Sequence, residues 1–243
     1  MLVVVSPAKK LNMTPAEGVR ATKPAFAENA QELAGVARQL SLGALQKLMG
    51  LSVNLAHLNA DRFAAFGSQD TKAAALAFAG DTYQGLEAAT LDNDEMAWAQ
   101  DHLRILSGLY GVLRPLDAIE PYRLEMGRRL ANPRGADLYD FWGDKLAKAI
   151  DSLVADHETP VVVNLASNEY FKAARAKSLK ARVITPAFKE VKDGEARVIG
   201  MFAKQARGAM ARFMIKNRIE TPEGLQAFKE GGYAYKAKLS SAD

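Results

Sequence analysis

Two short apolar runs, Leu2-Val-Val-Val5 and Val161-Val-Val-Asn-Leu165, constrain this chain more than any other feature. β-Branched side chains are crowded in a helix and pack well on a pleated surface, so runs of this length read as buried strands. The first ends at Ser6-Pro7. Between and around them lie stretches of helical period. Pro24 to Leu40 repeats apolar residues at Phe26, Ala30, Leu33, Val36, Ala37 and Leu40, as an amphipathic helix does. Ser41 to Phe66 reads as two or three short helices. Asp92 suits the N-cap of a helix running to about Leu106, with Asp94 and Glu95 in its first turn. Trp142 to Ala155 reads as a further helix.

Weaker strands are expected at Leu76–Ala79, ending in Gly80-Asp81, and at Tyr122–Met126. The glycines and proline of Ser107 to Asp117 rule out a regular helix there. Arg182 to Phe188 and Ala196 to Met201 flank Asp193-Gly194, a strong hairpin signal. Helices and strands alternate without regular βαβ spacing, and no repeat or linker interrupts them. The expected fold class is mixed α/β (α+β), one compact domain over residues 1–243, a length that one core can serve.

Several function classes drop out on composition. The chain has no cysteine, which excludes disulfides, thiolate zinc sites and thiol-based peroxidase chemistry. His57, His102 and His157 share no metal-ligand spacing, and no carboxylate-rich motif stands in sequence order, so neither a metal nor a cofactor is expected. No apolar run approaches the roughly 20 residues that span a bilayer. The opening MLVVVSPAKK places its apolar run before its charges, the reverse of a secretory signal, so a cytoplasmic protein without membrane attachment is expected.

The net charge of +4 hides an asymmetry. From Lys172 to Arg218 there are thirteen Lys or Arg against three acids, Glu190, Asp193 and Glu195, which leaves the remainder of the chain acidic. Within this segment a helix is expected over about 202–218. Phe202, Ala206, Ala209, Met210 and Phe213 fall on one side of its wheel, and Lys204, Arg207, Arg212, Lys216 and Arg218 on the other. Such a helix can lie along a phosphate backbone. The alternative is a solvated face balanced by acids elsewhere in the fold.

Three further segments carry candidate chemistry. Leu48 to Ala56, within 41–66, loosely fits a helix-hairpin-helix turn, whose small residues let backbone amides approach a phosphate; here these are Gly50 and Ser52. Ser107 to Arg114 has Gly108 and Gly111 with Arg104, Arg114 and Arg123 around it. It could cradle a phosphate, although it matches neither the P-loop nor the dinucleotide fingerprint. Ser6-Pro-Ala-Lys9 and Asn164 to Lys172 each follow a strand, where α/β proteins place functional loops. DNA contacts are therefore expected from Lys9, Gly50, Ser52, Arg104, Arg114, Arg123, Lys172, Lys204, Arg207 and Arg212. A rival reading places an enzyme acting on a nucleotide or nucleic acid in a cleft of Lys9, Ser107, Arg123, Glu125, Asn164 and Glu169.

The strings SPAKK, GDTYQGL (80–86), LSGLYGVLRPLD (106–117), PYRLEMG (121–127), YDFWGDKL (139–146), NLASNEYFK (164–172) and AKQARGAMARF (203–213) resemble, in this order, the YaaA family of bacterial proteins linked to hydrogen peroxide resistance. The resemblance implies a fold of the family's own, with a helix-hairpin-helix element and a basic cleft that binds DNA. It also implies a role in limiting free iron and oxidative DNA damage. Ser52 departs from the glycine that the hairpin motif prefers, and the resemblance supplies no catalytic residue. The expected partner is duplex or branched DNA, bound through phosphate and shape and without strong sequence preference.

A chain with no thiol and scattered histidines is expected to leave hydrogen peroxide unconsumed when purified free of metal. Catalytic turnover in a peroxide-electrode assay would contradict this.

Overall fold

A computed structural model describes residues 1–174, 178–192 and 195–241. The chain opens with β1 (Leu2–Val5), β2 (Lys10–Leu11), α1 (Ala27–Arg38), α2 (Leu42–Met49) and α3 (Val53–Ala64). Then come β3 (Lys72–Ala73), α4 (Ala74–Ala77), β4 (Phe78–Ala79), α5 (Asp81–Leu86) and α6 (Asn93–His102). The middle contains β5 (Leu103–Ser107), β6 (Gly111–Leu113), β7 (Ala118–Ile119), α7 (Leu138–Trp142) and α8 (Lys145–Ala155). The last part holds β8 (Val161–Leu165), α9 (Asn168–Phe171), β9 (Arg182–Ile184), β10 (Glu190–Lys192), β11 (Glu195–Arg197) and α10 (Gly200–Asn217).

The fold is mixed α/β around a five-stranded sheet of order β6-β5-β1-β8-β9. β1 pairs in parallel with β5 on one side and β8 on the other, with Val3 opposite both Leu103 and Val163. All residues of β1, β5 and β8 are buried, as strands covered on both faces must be. β6 turns back antiparallel on β5, with Gly111 in the left-handed region (φ 70°). The chain leaves β1 toward β5 and later returns to β8 on the opposite side. The strand order thus reverses between β1 and β8, the place where open α/β sheets leave a crevice at the carboxyl ends of their strands. One hydrophobic cluster draws on residues from Met1 to Phe228. Among the described residues no helix is long and apolar enough to cross a membrane.

Several elements differ from the sequence-based expectation. The helix opening at Asp92 does form, with a full capping box: Glu95 N donates to the Asp92 carboxylate at 2.8 Å, and Asp92 N donates to Glu95 at 3.0 Å. It ends at His102 rather than Leu106, because Leu103–Ser107 takes up the ladder beside β1. Tyr122–Met126 is irregular. Its backbone passes so close to Gly108 that a Cβ there would stand 2.4 Å from Leu124 O. The helix expected over Trp142–Ala155 starts only at Lys145, because Trp142 ends α7 and the chain breaks at Gly143 with φ 49° and ψ −126°. In 76–79 only Phe78–Ala79 is strand, paired with Lys10–Leu11.

Arg182–Ile184 joins the central sheet parallel to β8 instead of forming the expected hairpin. Glu190–Lys192 and Glu195–Arg197 are the antiparallel pair, and the expected turn at Asp193-Gly194 lies outside the described residues.

α10 crosses α5 in close contact, and two glycines permit it. A Cβ on Gly208 would lie 1.7 Å from Thr82 O, and one on Gly85 would lie 2.1 Å from Gln205 O. Gly208→Ala is expected to force these backbones apart at a cost of about 1–3 kcal/mol. A thermal melt should fall by at least about 2 °C, and an unchanged melting temperature would contradict the contact.

Candidate functional site

α10 is not the uniformly cationic face that its wheel suggests. Lys216 Nζ sits 2.6 Å from Glu95 Oε1, Arg212 Nε 3.8 Å from Glu87 Oε2, and Lys204 Nζ 3.9 Å from Asp81 Oδ2. Arg212 also donates to the Leu86 and Glu87 carbonyls at 3.2 and 3.1 Å. Arg207 is half-buried, and burial lowers its pKa. Acids from α5, the turn after it and α6 thus face three of the five cations. The open groove of about 710 Å³ beside the helix is lined by Glu87, Glu190 and Glu230 as well as Arg212 and Lys216. Its signs are mixed, unlike a phosphate track.

The α2–α3 turn is built as a tight helix junction. Gly50 closes α2 in the left-handed region (φ 61°), which glycine adopts without strain. Ser52 caps α3, accepting from Leu55 N at 3.4 Å. A Cβ on Gly50 would meet nothing nearer than Arg128 Nη1, at 3.9 Å. Arg128 Nη1 in turn donates to Leu48 O at 3.3 Å.

Arg128 leads directly into the crevice at the carboxyl end of β1. Its Nε and Nη2 reach Glu125 Oε2 at 3.0 and 2.9 Å, while Lys9 Nζ reaches Glu125 Oε1 at 2.6 Å. Glu125 is buried, whereas the Lys9 side chain is 63% exposed. Burial pushes the Glu125 carboxyl up. The Lys9 hydrogen bond and the charges of Arg128, Lys9 and Arg123 outweigh this and hold it below the usual carboxylate value. Pro7, Ala8, Lys9, Tyr122, Arg123, Leu124, Glu125 and Tyr170 line the crevice. Arg123 is one of these lining residues, and its Nε is buried with no hydrogen-bond partner among the described residues.

Other expected cleft residues support this spot from behind. Ser107 is fully buried; its Oγ lies 2.6 Å from the Tyr122 hydroxyl and accepts from Tyr110 N at 2.9 Å. Asn164 shapes the loop after β8, accepting from Ala166 N at 3.0 Å and donating to Thr185 Oγ1 at 3.3 Å. Glu169 stands at the rim and accepts from Gly127 N at 2.9 Å. The sequence points to Ser6 only as part of the loop after β1, and gives no role to Tyr83 or Arg128. Ser6 Oγ accepts from Ser167 N at 2.8 Å, and Tyr83 donates to Ser6 O at 3.1 Å. Arg128 falls three residues after Glu125, a spacing that offered the one available signal.

Two expected phosphate contacts are engaged within the protein, one of them buried. Arg104 is buried, and its guanidinium donates to the Gln100 and Leu103 carbonyls at 2.7 and 2.8 Å. Burial first, then the charge of Arg114, brings its pKa down to about 10. Arg114 is engaged by Asp117, with Nη2 at 2.8 Å from Oδ1. Lys172 is exposed and lies over the Tyr139 ring, 4.7 Å from its centroid, near Glu169. His102 and His157, distant in sequence, meet edge to face at 4.6 Å. Burial, followed by the N-terminal ammonium, lowers His157 to about 4. Among the described residues no three His, Asp or Glu are grouped to hold a metal ion.

The strings that carry the family resemblance therefore meet in space. SPAKK, GDTYQGL, PYRLEMG and NLASNEYFK are joined through Tyr83–Ser6, Lys9–Glu125, Ser6–Ser167 and Gly127–Glu169. A family model described as "Peroxide stress protein YaaA" matches residues 1–239. A UPF0246 protein of Ruegeria pomeroyi is 57% identical over 247 residues, covering 100% of this chain and 96% of its own length. Another, of Roseobacter denitrificans, is 58% identical with the same coverage, and one of Ralstonia pickettii is 52% identical over 98% of this chain and 94% of its own.

Glu125→Gln removes the buried acid that Lys9 and Arg128 both contact. At neutral pH it is expected to cost about 1.5–3 kcal/mol, the scale of hydrogen bonds to charged groups. A carboxyl depressed in the folded state contributes stability above its unfolded value of about 4.3 and loses it as pH falls through the folded value. The gap in stability between wild type and variant should therefore close in acid. Denaturant melts from pH 7 to pH 3 with a constant gap would contradict this.

Proposed function

This chain belongs to the peroxide stress protein YaaA family, and on that premise we propose that it acts in peroxide stress by binding DNA across the α2–α3 turn and the crevice rim. The observation that carries the reading is the position of Arg128, hydrogen-bonded to both Leu48 O and Glu125. It makes the hairpin turn and the crevice one continuous surface. On that surface Lys9, Arg123 and Arg128 outnumber Glu125, and Lys47, Arg129 and Lys10 are exposed nearby in sequence. The first turn of α3 adds amides without intrahelical partners, which suit a phosphate oxygen. The contacts on offer are to phosphate and shape, so binding is expected to be indifferent to sequence. Covering DNA in this way would limit its iron-dependent oxidation.

Lys204, Arg207 and Arg212 carry less of this reading than their helical spacing suggests, because acids or carbonyls face two of the three. A second reading, an enzyme acting on a nucleotide or nucleic acid, draws on the convergence of Lys9, Arg123 and Glu125 at the strand-order reversal.

Fluorescence anisotropy with a labelled duplex tests the proposal. The logarithm of the affinity should fall linearly with log salt, with a slope of about −0.9 per phosphate contact. Arg128→Ala, verified as folded by circular dichroism, should flatten that slope by roughly one unit. Affinity that is flat in salt would overturn the electrostatic account. A triple Lys204, Arg207 and Arg212 alanine variant that loses binding while Arg128→Ala keeps it would move the interface to α10.

A further inference from the structure

We infer that the crevice at the carboxyl ends of β1 and β8 is a receptor for one phosphomonoester dianion, with Arg123 as its principal ligand. This deepens the DNA reading, yet it rests on the crevice geometry alone. Among the crevice residues and their neighbours, Lys9, Arg123 and Arg128 stand against Glu125, with Glu169 at the rim, a surplus of one positive charge. Glu125 is already engaged on both oxygens, by Lys9 on one and Arg128 on the other. Arg123 is different. It is partly buried, and its Nε is shut off from solvent without a hydrogen-bond partner among the described residues.

A guanidinium presents donors in a planar fork that fits phosphate oxygens in pairs, and leaving such a donor unpaired in a low-dielectric pocket is costly. A phosphate dianion satisfies the donor and the charge surplus together. Tyr170 and Tyr122 line the same crevice, and burial pushes both hydroxyls well above their usual range. Both remain protonated, and the Tyr122 hydroxyl is engaged with Ser107 Oγ at 2.6 Å.

Size and access favour a terminal phosphate over an internal one. As it stands, the crevice has free space of about 10 Å³, roughly one water. Lys9, whose side chain is 63% exposed, is the lining cation that can turn from Glu125 to an entering phosphate. In doing so it opens the mouth to a group that projects on one bond and contributes its charge to that group. An internal phosphodiester carries a sugar on each side and only one negative charge, so it fits the recess less well. A phosphomonoester comes from two sources, a phosphorylated strand end or a free mononucleotide.

The test compares a 5′-phosphorylated blunt duplex, its 5′-hydroxyl twin, a covalently closed dumbbell of the same sequence, and AMP, each titrated by calorimetry. The expected result is binding of the phosphorylated duplex about tenfold or more tighter than the dumbbell. The ratio should collapse toward one in both Arg123→Gln and Lys9→Ala, with folding verified by thermal melts. Lys9 is exposed enough that its variant will fold even if the arginine variant does not. AMP binding that is lost in these variants, with no preference among duplex ends, supports the receptor and assigns it to a free mononucleotide. A phosphorylated end or AMP bound no differently by wild type and either folded variant overturns it. The dumbbell arm reports on the proposed function separately: a protein that ignores the dumbbell but binds AMP refutes duplex binding and leaves the receptor standing.

Discussion

The architecture depends on β1 being held on both edges by parallel strands. Four consecutive buried residues pair with β8, and three of them also with β5, so a one-residue slip would disturb both ladders at once. That constraint delivers Ser6 through Lys9 to the point where the strand order reverses. Ser6 is then tied to Ser167 and Tyr83, and Lys9 is left within reach of Glu125. Loops that are separate in sequence meet there because the sheet brings their strand ends together.

Electrostatics at this point follows from one buried carboxylate. Removing a carboxylate from water costs several kcal/mol unless cations and hydrogen bonds replace its hydration. Glu125 recruits Lys9 and Arg128 for that purpose, with Arg123 close enough to add its field. The recruitment overshoots, and the excess of positive charge lies beside the α2–α3 turn. Along α10 the balance is different. Its cations meet Asp81, Glu87 and Glu95, so a segment that is strongly basic in one dimension becomes a mixed surface in three.

This contrast explains which parts of the molecule could be read from sequence. The β1 and β8 runs and the Asp92 cap were readable because each is set by local chemistry: β-branching and a capping side chain. The extent of the Asp92 helix was not, because pairing with β1 overrides the periodicity of Leu103–Ser107. Arg104 looked like a surface cation beside a glycine turn, yet the same strand buries it. The counter-charges of α10 come from residues more than a hundred positions away, beyond any charge count on a segment. Lys9, Arg123 and Glu125 were named from sequence as strand-end polar residues. Arg128, which joins them to the α2–α3 turn, required the fold.

Hydrogen–deuterium exchange with and without a duplex tests the central claim of the proposal, that the α2–α3 turn and crevice form the interface. The account predicts slowed exchange on DNA binding at amides in 6–10, 47–54 and 122–129, with α10 unchanged. Protection confined to 200–217, with the α2–α3 turn and crevice exchanging as in the free protein, would contradict it.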